Sequence, residues 1–117
     1  MRTIIAGSRD FPGDMWSLGR VIDKIRLRTP ILCILSGMAR GPDFWGKSYG
    51  ESRDIPVEQY AADWNRLGKS AGFKRNIQMA EKADALIAFW DGKSKGTKHM
   101  IDIALEYGLW VKIIRPK

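Results

Sequence analysis

A chain of 117 residues with 44% hydrophobic content is sized for one domain, 1–117, and is too apolar for intrinsic disorder. One cysteine, Cys33, excludes an internal disulfide, and one histidine, His99, leaves no Cys/His zinc site, so neither a metal nor a cofactor is expected. The net charge of +7 is read in two ways, as a solvated basic surface or as the mark of an anionic partner.

In chain order, the first apolar run is Thr3–Ala6. It is too short for a signal-peptide core, and no later run approaches the roughly 18 residues of a membrane span, so a cytoplasmic location and no membrane partner are expected. Next, Leu18, Val21, Ile22 and Ile25 keep the stripe of an amphipathic helix, with Asp14 placed to cap it. The run Ile31–Leu35 follows, with Cys33 as core. The segment Pro42–Asp54 is a weaker helix, because Gly46 and Gly50 cost propensity while Pro42 and Asp43 suit a first turn. A third run, Pro56–Tyr60, tolerates its proline only at the start. A helix marked by Ile77 and Ala80, the run Ala85–Trp90, a helix marked by Ile101, Ala104 and Leu105, a stop at Gly108 and the run Trp110–Ile114 complete the chain.

Most runs are continuous rather than alternating, as in strands covered on both faces. Five alternations of strand and helix imply an α/β fold with a mainly parallel five-stranded sheet between two helical layers. The helix-to-strand links are short, at Thr29-Pro30, Ile55, Ala83-Asp84 and Leu109. The strand-to-helix links are longer and polar: GSRDFPG, SGMARG, AADWNRLGKS and DGKSKG. Ligands of open α/β sheets bind at the carboxyl ends of the strands, so the unusual residues gather on the edge where a site belongs.

Each link offers candidates. In Gly7-Ser8-Arg9 the glycine permits close approach and the arginine presents a fork suited to phosphate; the alternative is an ordinary turn. Ser36-Gly37-Met38-Ala39-Arg40-Gly41 leads into a helix whose free N–H groups suit an anion, although its glycine spacing is neither that of a dinucleotide fingerprint nor that of a P-loop. Asp63 and Trp64 follow the third strand, and Trp64 is either a stacking wall or packing. Arg75 and Asn76 open the next helix. Asp91, Ser94, Lys95, Gly96 and Thr97, with Lys93 and Lys98 beside them, form the best single candidate for a phosphate cradle. His99 reads as a partly exposed helix residue rather than a base.

The segments IIAGSRDF (4–11), LSGMARGPD (35–43), AADW (61–64), AGFKRNIQM (71–79) and ALIAFWDGKSKGTKHMI (85–101) carry a resemblance. Over nearly its whole length the chain resembles the SLOG superfamily, in its small single-domain YspA-like branch. The resemblance implies a Rossmann-like three-layer α/β/α domain related to the Lonely-guy phosphoribohydrolases and the DprA DNA-processing domain. It also implies a nucleotide or nucleotide-derived ligand, and a setting in conflicts between phages and bacteria. Arg75 and Gly96-Thr97 fit Lonely-guy positions. Met100 stands where those enzymes carry their catalytic glutamate, and a thioether cannot act as an acid or base.

The leading expectation is therefore binding of a nucleotide-like small molecule, for sensing or sequestration. The first rival is a nucleoside-monophosphate N-glycosidase drawing on Asp10, Asp43 or Asp91. The second is single-stranded DNA binding of the DprA kind. Exposed aromatics leave a homo-oligomer open.

Overall fold

The computed structural model describes residues 1–116, apart from the side chain of Lys69. Five strands form one sheet: β1 (Arg2–Gly7), β2 (Cys33–Ser36), β3 (Val57–Gln59), β4 (Ala85–Phe89) and β5 (Trp110–Ile114). Their order is β3-β2-β1-β4-β5, and all four pairings are parallel, so the mainly parallel sheet is parallel throughout. The four long helices are α1 (Met15–Arg26), α2 (Pro42–Ser52), α4 (Ala71–Lys82) and α5 (Lys95–Glu106); α3 (Trp64–Leu67) is a single turn.

Two apolar cores sandwich the sheet. On one face Ile5, Ile34 and Ile87 meet Leu18 and Ile22 of α1 and Tyr49 of α2. On the other, Ile4, Leu35, Leu86 and Ala88 meet Met79 and Ala80 of α4 and Met100, Ile101 and Ala104 of α5. Alternate residues of one strand thus serve opposite cores, which is why the runs read as continuous in sequence. Cys33 is buried in the second core, as expected. This is the Rossmann-like three-layer arrangement.

Local chemistry sets the element ends. Asp14 caps α1 by accepting the N–H groups of Trp16 at 3.1 Å and Ser17 at 3.0 Å, and Ser17 Oγ accepts the Asp14 N–H in return. Gly108, at φ +74°, follows α5 in the left-handed conformation that glycine adopts without strain. The glycines of α2 allow close packing on the sheet. A Cβ on Gly46 would stand 2.7 Å from Ile5 Cγ2, and one on Gly50 2.7 Å from Val57 Cγ2.

Some boundaries differ from expectation. β2 begins at Cys33 rather than Ile31 and runs on to Ser36, and β3 keeps only Val57–Gln59 of the run Pro56–Tyr60. The link 61–70 holds α3 and a 3-10 turn, Gly68–Ser70, which give too few residues to show a period. Trp64 is the first residue of α3.

Candidate functional site

The carboxyl ends of β1, β2 and β4 open into a cleft of about 480 Å³. It is closed above by the first turns of α4 and α5 and flanked by Trp64.

β1 delivers Gly7 to the floor. A side chain there would collide with Phe89 O and Pro42 Cγ, both 2.6 Å from the position of a Cβ, so only glycine lets β1 and α2 approach this closely. Ser8 follows and is almost wholly buried. Its N–H donates to Phe89 O at 2.9 Å and its Oγ accepts the Asp91 N–H at 3.1 Å. Ser8 is thus a latch between the β1 and β4 loops, with its hydroxyl already engaged. Arg9 stands next to it, exposed on the rim.

The β4 loop builds the entrance to α5. The Asp91 carboxylate accepts the N–H groups of Lys93 and Ser94, each at 2.8 Å, and these donors hold its pKa below the ordinary value. Ser94 caps α5, accepting the Thr97 N–H at 3.4 Å, and its hydroxyl lies 3.2 Å from Thr97 Oγ1. The first-turn N–H groups of a helix have no partner within it and carry the positive end of its dipole. In α5 the Thr97 N–H is taken by Ser94 Oγ and the Lys98 N–H by Ser94 O, and Gly96, where a Cβ would meet nothing within 4 Å, lines the cleft.

β2 and α2 contribute Asp43, a carboxylate with 5% of its surface exposed. Its Oδ1 accepts the Gly7 N–H at 3.1 Å. Burial pushes its pKa up to about 6, against the opposing pull of Arg75 and of the Gly7 and Ala39 N–H groups. Arg75, from α4, donates to Gly37 O and, through Nε, to Asn76 Oδ1 at 3.0 Å. Burial lowers its pKa, the neighbouring Asp43 carboxylate raises it, and Arg9 adds a smaller lowering. Gly37 lets this happen: a Cβ there would sit 2.7 Å from Arg75 Nη1 and 2.8 Å from Asp43 Oδ2.

Asn76 extends the network to α5. Its Nδ2 lies 3.3 Å from Gly96 O and 3.1 Å from His99 Nδ1. Because Oδ1 accepts from Arg75, Nδ2 is the donor, and His99 Nδ1 is then an acceptor carrying no proton. Burial lowers the His99 pKa in keeping with a neutral ring, which stacks on Phe73 with ring centres 4.3 Å apart.

Of the residues singled out in sequence, Gly7, Ser8, Arg9, Trp64, Arg75, Asn76, Asp91, Ser94, Gly96 and Thr97 line the cleft. Ser36, Gly37, Met38, Arg40, Gly41, Asp63 and Lys95 do not. Ser36 is buried, its Oγ donating to Asp43 O at 2.9 Å and accepting the Met38 N–H at 3.2 Å. Gly37 backs the Arg75 guanidinium. Met38 and Gly41 hold left-handed turns, at φ 64° and 84°. Arg40 pairs with Asp10 at 3.3 Å on the surface, and Asp63 caps α3 through the Arg66 N–H at 3.1 Å. The SGMARG link backs Asp43 and Arg75 through Gly37 and brings Ala39 to the cleft wall. Phe73 and Gly72 also line the cleft and had no marker in sequence. Trp64 is half-exposed rather than packed, with its ring 3.2 Å from where a Cβ on Gly72 would stand. Met100 reaches the cleft wall but belongs to the core, with 1% of its surface exposed.

A parallel sheet with helices on both faces and a cleft at its carboxyl edge, lined by the cations Arg9, Arg75 and Lys93 and the carboxylates Asp10, Asp43 and Asp91, defines a Rossmann-like α/β protein. The model of the YspA, cpYpsA-related SLOG family matches residues 1–67, from β1 through α3. The chain is 33% identical over 115 residues to the Gene 61 protein of Mycobacterium phage D29, covering 92% of this chain and 91% of that one. No solved structure matches it. The chain belongs to the YspA, cpYpsA-related SLOG family.

Proposed function

We propose that the cleft binds a nucleotide or nucleotide-derived anion, and that the protein senses or sequesters this ligand. The observation that carries the reading is the convergence of Arg9 and Arg75 on one cleft, close enough for Arg9 to depress the Arg75 pKa. An anion set between the two guanidiniums gains from both, Arg75 being already held in place by Gly37 O and Asn76. The α5 entrance adds N–H donors, and the half-exposed Trp64 offers a face for a planar ring. Family membership points the same way, and the phage relative fits a role in phage–bacterium conflict.

Thermal-shift and calorimetric titration with nucleoside mono- and diphosphates, dinucleotides and ADP-ribose derivatives tests the reading. A ligand at 100 times its dissociation constant stabilises by about 2.7 kcal/mol. Failure of every such compound to shift the melting temperature would remove the proposal.

One observation also favours the enzymatic alternative, N-glycosidic cleavage of a nucleoside monophosphate. Among the three candidate carboxylates, Asp10 is paired at the surface and Asp91 is committed to its loop, whereas Asp43 is buried in the cleft with a raised pKa. Release of free base on incubation with monophosphates, absent in Asp43→Asn, would replace the binding reading with this one.

A further inference from the structure

Strand order fixes what lies beside what along the carboxyl edge. Reading from β3 to β4, the edge presents Trp64 after β3, Asp43 after β2, Arg9 after β1 and the α5 entrance after β4. Asp43 therefore stands between Trp64 and Arg9, with the Arg75 guanidinium beside its carboxylate. A phosphate is drawn to the Arg9 and Arg75 guanidiniums, toward the β1 and β4 loops, and is repelled by the Asp43 carboxylate. A neutral hydroxyl-bearing part of the same ligand meets the carboxylate.

We propose that Asp43 is a sugar-reading residue: the cleft takes a ribonucleotide with its phosphate on the β1 and β4 loops, its base toward Trp64 and a ribose hydroxyl donating to the Asp43 carboxylate. The inference rests on the nucleotide reading above and narrows it from nucleotides in general to those with an intact ribose. The Gly7 N–H occupies one acceptor site on Oδ1. The Ala39 N–H and the residue's own N–H also act on the carboxylate, and of its roughly four acceptor sites one remains for a ribose hydroxyl. Above its pKa of about 6 the group is ionised and accepts rather than donates. The anchoring is rigid, since Asp43 sits in the first turn of α2 and its backbone carbonyl accepts from Ser36 Oγ. A site built to hydrogen-bond a hydroxyl rejects the analogue lacking it more sharply than an apolar pocket rejects an extra group.

The test is calorimetric titration at pH 7.5 with the four ribonucleoside 5′-monophosphates, their 2′-deoxy and 3′-deoxy counterparts, and inorganic pyrophosphate. For whichever base binds, the ribo form should bind at least about tenfold more tightly than the deoxy form that lacks the hydroxyl Asp43 accepts. In Asp43→Asn, an isostere that can still accept the Gly7 N–H, this ratio should fall toward one while pyrophosphate affinity holds or rises. A purely structural role for Asp43 would weaken ribo and deoxy forms alike and leave the ratio intact, which would overturn the proposal. Equal affinities for the ribo and both deoxy forms in the wild type would overturn it without any variant, and so cover the case in which Asp43→Asn does not fold. Binding without sugar discrimination leaves the nucleotide reading standing. Absence of all nucleotide binding ends both.

Discussion

Arg75 is the residue on which most of the site converges, and its neighbours say what losing it does. It holds Gly37 O and Asn76, and through Asn76 the His99 ring. Arg75→Ala should weaken anion binding by about 1.5–3 kcal/mol, the usual worth of a charged hydrogen bond. Titration of the folded variant, verified by circular dichroism, checks this. Asp43 makes a stability prediction independent of any ligand. Its folded pKa of about 6 lies above the unfolded value of 3.8, so its contribution is fully present below pH 4 and is lost as pH rises through 6. Ionisation should cost the fold about 3 kcal/mol at neutral pH. Urea unfolding of wild type and Asp43→Asn from pH 4 to 7 should show the variant gaining on the wild type as pH rises; a constant difference would contradict it. Met100 closes the simplest route to a glutamate at its position. It is part of the core, so Met100→Glu should destabilise by about 3–5 kcal/mol, read by the same unfolding measurement. Asp43 had the weakest written signal of these groups. A helix-initiating aspartate is common, and its burial beside Arg75, 32 positions away in sequence, exists only after folding.

At the scale of elements, legibility followed apolar continuity rather than burial: the exposed edge strand β5 was read at its observed bounds, Trp110–Ile114, while buried β2 was read two residues early. β1, β2 and β4 lie inside the sheet and are apolar without interruption, so their sequence announced them. The helices α1, α4 and α5 carry one-sided stripes and were equally plain. α2 read as weak because Gly46 and Gly50 lower helix propensity, yet those glycines are what seat the helix against Ile5 and Val57. Contact with the sheet, which propensity does not see, compensates. Gly46→Ala should accordingly destabilise by about 1–3 kcal/mol through overpacking, although it improves propensity. A rise in melting temperature would mean that β1 and α2 can separate at little cost. The polar links lie on the carboxyl edge of the sheet, where the cleft opens, but residue type did not say which of them face it. Ser36 and Gly41 were spent on turn geometry, a distinction that residue type alone does not carry.

At the scale of the whole molecule, the charge of +7 suits either a small anion or a polynucleotide, and salt separates them. A nucleotide in the cleft should lose no more than about tenfold in affinity between 50 and 200 mM salt, since screening reaches Arg9 on the rim more than half-buried Arg75. A single-stranded DNA ligand held through six to ten phosphates would lose about 10³ to 10⁵ over the same range. The strand order has a further effect, on the folding pathway. β1 begins the chain but occupies the middle of the sheet, pairing with β4 from Thr3↔Ala85 to Gly7↔Phe89, and the Arg2 amide reaches Asp84 Oδ2 at 2.8 Å. Those contacts close loops of some eighty residues, a large entropic cost met before the pairing repays it. During synthesis β1, β2 and β3 leave the ribosome before β4, the neighbour of β1 on its other side. The nascent chain must carry the unpaired, apolar edge of β1 until β4 follows, so the interval between the two is when it is most exposed to misassociation.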